Sequence, residues 1–218
     1  MAQPQLLVFD WDGTLADSTG FIVAVIQATA RDLGWPEPEP DRVRSVIGLS
    51  LDEAIARAMP EASPQEVRRF AGAYRERYLA APEGSARLYP GVADMLAQLE
   101  AQGYWMAVAT GKGRAGLDAA LKASGISGHF LVTRSAEETR SKPHPAMLES
   151  ILDETGLYPE QALMLGDTRF DLEMAANAGV SALGVLGGAH ERKELERAGP
   201  AVILESLPEL QDWLRLRD

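Results

Sequence analysis

Asp10 and Asp12 stand two residues apart in Asp10-Trp11-Asp12-Gly13-Thr14, directly after the apolar run Leu6-Leu7-Val8-Phe9. A run of this kind reads as a strand buried on both faces, and ligands of open α/β sheets sit beyond strand carboxyl ends. Two carboxylates therefore emerge where chemistry is expected. The plainer account makes both aspartates turn formers ahead of a helix. A second pair, Asp167 and Asp171, follows the apolar segment Leu163 to Leu165. One helical turn separates these two, so both carboxylates can face one point. Hard cations such as Mg²⁺ take oxygen ligands and commonly use one or two carboxylates plus a substrate phosphate. The rival account is a capping aspartate followed by a surface one.

Two further positions suit an anion. Thr110 ends the Met106-to-Ala109 run and is followed by Gly111. Its hydroxyl, with the free amides of a helix start, can hold phosphate oxygens, although an ordinary N-cap would look the same. Lys142 lies in Ser141-Lys142-Pro143-His144-Pro145 and is one of only four lysines in the chain. Pinned between turn residues just before a helix, it is a compact point charge for a phosphoryl group. Taken alone it reads equally as a solvated surface lysine.

The elements that must position these residues alternate. Apolar strand-like runs recur at Phe130 to Val132, Val180 to Val185 and Val202 to Leu204. Between the runs lie amphipathic stretches such as Val92 to Gln102, Pro145 to Thr155 and Asp171 to Ala178, each followed by a glycine that can cap it. Strand and helix in alternation predict an α/β fold with a parallel sheet covered on both faces. Residues 17 to 85 break the pattern and read as helices only. Asp17 and Ser18 are the expected caps of a helix running to Leu33, stopped by Gly34. Ser63-Pro64-Gln65-Glu66 is a capping box with proline at the first helical position, opening a helix to about Ala80. The proline-rich stretch 36 to 40 reads as a stiff connector between two helices. The expected organisation is a core of residues 1–16 plus 86–218 and an inserted helical cap of residues 17–85.

Composition narrows the partners. A net charge of −11 opposes binding to a nucleic-acid backbone, whose affinity comes from clustered Lys and Arg. A small anionic substrate stays compatible, because a cation and one buried lysine reverse the local field. The absence of cysteine excludes disulfides and thiolate metal sites. No apolar stretch approaches the ~20 residues needed to cross a bilayer, so a cytoplasmic protein without a membrane partner is expected.

The order strand-DxDGT, strand-Thr110, Lys142-Pro143, strand-Gly166-Asp167-x-x-x-Asp171 resembles the haloacid dehalogenase superfamily, across Leu6 to about Leu186. The helical insertion is similar to that superfamily's C1 cap, and residues 187–200 look like its phosphoglycolate phosphatase branch. The resemblance implies a Rossmann-like core and Mg²⁺-dependent hydrolysis of a small phosphorylated metabolite, with phosphoglycolate the leading compound. It makes Asp10 the nucleophile and Asp12 the general acid/base. Thr110, Gly111 and Lys142 become phosphate-binding residues, and Asp10, Asp12, Asp167 and Asp171 belong to the metal site.

Asp12 argues against dehalogenases, which lack that aspartate. Phosphonoacetaldehyde hydrolases carry alanine there and need a cap lysine, which residues 1–111 do not supply. A β-phosphoglucomutase-like transfer to sugar, a pyrophosphatase, and a non-enzymatic binding module on the same fold stay open. The formal GxGxxG at Gly111-Lys112-Gly113-Arg114-Ala115-Gly116, with Glu137 and Glu138 downstream, raises dinucleotide binding as an outside reading. Among the remaining residues, Trp11, Trp35 and Trp105 are expected to pack, and His129, His144 and His190 to be surface or loop residues. Gly48 to Glu53 is expected to form a lid.

Overall fold

The computed structural model describes residues 3–81 and 87–216. The chain opens with β1 (Leu6–Phe9) and β2 (Ala16–Asp17), then four helices: α1 (Thr19–Asp32), α2 (Pro40–Arg44), α3 (Leu51–Ala58) and α4 (Pro64–Leu79). It returns through β3 (Arg87–Leu88) to α5 (Val92–Ala101), β4 (Trp105–Thr110), α6 (Arg114–Ser124), β5 (Val132–Ser135) and α7 (Ala146–Thr155). The last third comprises β6 (Ala162–Gly166), α8 (Arg169–Asn177), β7 (Ser181–Val185), α9 (Arg192–Arg197), β8 (Val202–Leu204) and α10 (Leu210–Arg215).

Six strands form one sheet in the order β5-β4-β1-β6-β7-β8, every neighbour pair parallel. β1 is central, with Phe9 paired to Val108 on one side and to Leu165 on the other. Successive side chains of a strand point to opposite faces. Leu7 and Phe9 accordingly enter one apolar cluster with residues of α5, α6 and α10, while Leu6 and Val8 enter another with residues of α7, α8 and α9. Full burial of such a side chain contributes about 2 kcal/mol, so the continuous apolar run holds β1 between two helical layers. The chain-order break lies at β1, between β4 and β6, and that is where a ligand crevice opens in a doubly wound sheet.

The helices α1 to α4 pack around their own cluster, including Ile22, Ile26, Val43, Phe70 and Tyr74. Ser63 and Glu66 form the expected capping box of α4, and Pro40 opens α2 at the end of the proline-rich connector. The two-residue strands β2 and β3 pair antiparallel where the chain leaves and re-enters the sheet domain. The boundary expected at residues 85 and 86 lies outside the described residues.

Several expectations shift. Asp17 lies in β2, and Ser18 alone is the N-cap of α1 without a side-chain capping bond, because its hydroxyl donates to Asp12 instead. The strand expected at Phe130 to Val132 starts at Val132: a 3-10 turn over Ser127–His129 precedes it, and Phe130 packs edge-on against Phe9. Trp11 and Trp35 pack as expected, but Trp105 begins β4 partly exposed. His190 is a loop residue yet buried: its Nδ1 accepts from the Arg169 N–H, and its Nε2 faces the Ser45 carbonyl. Among the described residues, no helix is long and apolar enough to cross a membrane.

Candidate active site

The carboxyl ends of β1, β4 and β6 converge. Asp10 follows β1 and its N–H donates to the Leu165 carbonyl at 2.9 Å, which carries the residue one step past the sheet. Asp167 follows β6, and Asp171 sits in the first turn of α8 with its carboxylate taking the Thr168 N–H and hydroxyl. Thr14 donates to Asp167 Oδ1 at 2.7 Å, and the Ala189 N–H donates to Oδ2 at 2.7 Å. Gly13 has a φ of 88°, and a Cβ there would overlap the Asp167 carboxylate, so the tight turn after β1 requires glycine.

Lys142, 1% exposed, reaches this cluster from the loop before α7. Its Nζ donates to Asp10 Oδ1 at 2.6 Å and to Asp171 Oδ1 at 2.5 Å. Burial opposes the ammonium charge, but Asp10 and Asp171 hold it protonated, above the ordinary lysine range. Burial likewise pushes the Asp10 carboxyl well up, with Lys142 pulling it back and Asp171 and Asp167 adding to the rise. Burial and Asp171 push Asp167 up to about 7.

Oxygens of Asp10, Asp167 and Asp171 lie within 4.8 Å of one another, and Asp10 Oδ2 is buried without a hydrogen-bond partner. Three buried carboxylates gather here, two of them on Lys142, and an orphaned oxygen is among them. That donor set fits a hard divalent cation taking oxygen ligands. The Asp12 carboxylate stands apart from the trio: Ser18 donates to its Oδ1 at 2.6 Å, and Lys112 lies 3.0 Å from its Oδ2. Of the four aspartates expected at the metal site, the structure gathers the carboxylates of Asp10, Asp167 and Asp171, and that of Asp12 is not among them.

Thr110 ends β4 buried, and its Oγ1 accepts from the Lys112 N–H at 3.2 Å. Asp10, Asp12, Thr110 and Gly111 line one cavity of about 320 Å³ together with residues of α1 to α4, among them Ile22, Val43 and Tyr78. The roof comes from the turn Gly48-Leu49. A Cβ on Gly111 would strike the carbonyl oxygens of both, so the close approach of this turn depends on glycine. The Ser50 N–H donates to Ser141 Oγ at 2.9 Å, next to Lys142. Phe170 of α8 packs with Val46, Leu49, Ala54 and Ala58 on the helical side.

The glycine-rich stretch has its helix start occupied by a side chain of this protein. Glu137 accepts the Arg114 N–H at 2.9 Å, and its carboxylate fills the space beside Gly113 at the start of α6. A pyrophosphate needs that helix start free. The residue that sequence reasoning passed over is Lys112, which stood there only as part of this pattern. Its adjacency to Thr110 was the available signal.

A doubly wound parallel sheet gathers three buried carboxylates and a buried lysine past its central strands, beside a cavity roofed by helices, which is the layout of an α/β enzyme. The chain belongs to the haloacid dehalogenase-like hydrolases, whose family model matches residues 7–185. It is 37% identical over 211 residues to a protein of Dickeya dadantii named probable phosphatase IndB, covering 94% of this chain and 91% of that one. It is 30% identical over 216 residues to a phosphoglycolate phosphatase of Vibrio cholerae, covering 95% of each. The crystal structure of a predicted phosphoglycolate phosphatase from Haemophilus somnus superposes with a TM-score of 0.87 at 28% identity, covering 98% of this chain and 99% of that one. The chain is an enzyme of the family's phosphatase group.

Proposed function

We propose that this phosphatase hydrolyses a small phosphomonoester through a phosphorylated Asp10, with Mg²⁺ as its cofactor and phosphoglycolate as the first candidate substrate. The observation that carries the reading is Asp10 itself: a buried carboxylate with one oxygen on Lys142 and the other unpartnered, beside Asp167 and Asp171. Asp10, Asp167 and Asp171 would hold the Mg²⁺. When bound, the ion offsets the negative charge of both nucleophile and ester and polarises the phosphoryl oxygens. The name of the Vibrio relative supports phosphoglycolate.

Asp10 attacks phosphorus while the ester P–O bond breaks, and Asp12 gives its proton to the leaving oxygen. Asp12, now a carboxylate, takes a proton from water as that water attacks the same phosphorus. The Asp10–phosphorus bond breaks, releasing inorganic phosphate and restoring both aspartates. Thr110, the Gly111 amide and Lys142 hold the phosphoryl oxygens, Lys142 as a point charge already fixed by two carboxylates. Residues 17–85 act as a cap domain that excludes water from the cavity and sets substrate choice through its side chains.

The test is phosphate release from a panel of phosphoglycolate, pyrophosphate, sugar phosphates, nucleotides and an aryl phosphate, with and without Mg²⁺. We expect turnover that requires Mg²⁺ and falls at least about a thousandfold in Asp10→Asn, as loss of a nucleophile does. Turnover by Asp10→Asn at the wild-type rate would end the covalent reading, and silence of the folded protein on every compound would end the hydrolase reading for this panel.

A further inference from the structure

Among the described residues, Lys112 is the charged residue that ties Asp12 to the helical cap. Its backbone belongs to the sheet domain: the N–H donates to Thr110 Oγ1 at 3.2 Å, and the carbonyl accepts from the Ala136 N–H at 3.2 Å. Its side chain runs the other way. Nζ lies 3.0 Å from Asp12 Oδ2 and donates to the Tyr78 hydroxyl, in α4, at 2.8 Å. Only 7% of the Lys112 side chain and 10% of the Asp12 side chain are exposed, so this pair is shielded from water and from salt. Lys142 already serves the Asp10 side of the site, which leaves Lys112 as the cation of the Asp12 side.

Resting on the reading of Asp12 as the general acid/base, we propose that Lys112 is its positioning residue: braced by Tyr78, the ammonium holds the Asp12 carboxyl toward the leaving-group cavity, so proton transfer is set up only while α4 is docked. Two physical effects follow from one contact. The ion pair, with the hydrogen bond that Ser18 donates to the other oxygen, fixes the carboxyl's orientation. The ammonium also faces the oxygen atoms of Asp12 and offsets the charge left there once the proton has passed to the leaving oxygen. A substrate whose leaving group departs without a proton gains little from either effect. The consequence is a dependence on leaving-group acidity that a structural or substrate-binding lysine would not produce.

The experiment measures kcat/KM, which reports the step up to phosphorylation of Asp10, for Mg²⁺-loaded enzyme on ring-substituted phenyl phosphates of graded phenol acidity. In Lys112→Met we expect a loss of about a hundredfold on the least acidic phenol and within about threefold on the most acidic, the range that general acid catalysis supplies. Tyr78→Phe should show the same grading at smaller size, and Lys112→Arg should recover part of the loss. An even loss across the series in these variants overturns the proposal, as does a loss confined to carboxylate-bearing substrates such as phosphoglycolate. If Lys112→Met does not fold, the grading in Tyr78→Phe and Lys112→Arg decides. Asp12→Asn is the reference: an ungraded response there removes the acid/base reading itself, whereas a graded response there with an even one at Lys112 removes only the role given to Lys112.

Discussion

At the scale of single residues, the site is governed by charge balance. Lys142 is flanked by Asp10 and Asp171 with no exposed surface on its side chain, so it is the only protein cation that offsets the buried carboxylates around Asp10 among the described residues. Removing one partner of a buried ion pair costs about 3–5 kcal/mol, because the other charge stays buried and uncompensated. We therefore expect Lys142→Met to lose about 3 kcal/mol of stability in the absence of metal, read from urea unfolding in a chelator. Mg²⁺ should restore more stability to this variant than to wild type, since the cation then replaces the missing charge. Equal Mg²⁺ stabilisation of the two proteins would contradict the placing of Lys142 and the ion on the same carboxylates. The placing of the aspartates and Lys142 was readable from sequence because Asp10, Asp12 and Asp167 follow strand ends, Asp171 lies one helical turn after Asp167, and Lys142 sits in a proline-fixed turn. Lys112 was not, since its partner Tyr78 lies 34 positions away on a separate helix. Nor was Ser18, whose hydroxyl serves Asp12 rather than its own helix.

At the scale of elements, strands buried on both faces leave continuous apolar runs, and for that reason β1, β4, β6, β7 and β8 were legible within a residue or two. Helix ends were legible through glycines with positive φ, such as Gly34 after α1 and Gly156 after α7. The antiparallel pair β2 and β3 was not, because two residues carry no periodicity and the pairing is set by where the helical segment leaves and returns. The contact between the two parts was equally hidden, although Gly111 bears on it directly. In Gly111→Ala the added methyl meets the carbonyl oxygens of Gly48 and Leu49, which belong to backbone and cannot swing aside. Overpacking of this sort costs about 1–3 kcal/mol, enough to weaken seating of the roof by about tenfold. Expected are a KM raised by about tenfold on the preferred substrate and a Mg²⁺ affinity unchanged from wild type, since no aspartate moves. A matching fall in Mg²⁺ affinity, measured by calorimetry, would mean that the substitution disturbs the carboxylates and not the roof.

At the scale of the whole molecule, the buried carboxylates make stability a function of pH and metal together. Asp167 is pushed up to about 7 from 3.8, first by burial and then by Asp171, and Asp10 is raised for similar reasons. In the unfolded chain these groups ionise near their ordinary values, so between about pH 4 and about pH 7 the metal-free folded state binds more protons than the unfolded one. The sign follows: their contribution is fully present below the unfolded pKa and is lost as pH rises through the folded one. Glu66, held below its ordinary value chiefly by bonds to Ser63, and Glu138, held below against an opposing burial effect by bonds to Ser135, work in the opposite sense as pH falls, but both lie near the surface and count for little. We expect the Tm of metal-free protein to fall from about pH 5 to about pH 8. Mg²⁺ favours the ionised carboxylates, so its stabilising shift should grow over the same interval, with protons released on binding near neutral pH. Asp167→Asn should flatten the metal-free profile. A Mg²⁺ shift in Tm of constant size across that interval, with no proton release, would show that the ion does not bind at these carboxylates, and the charge balance drawn around Asp10 would have to be rebuilt on other residues.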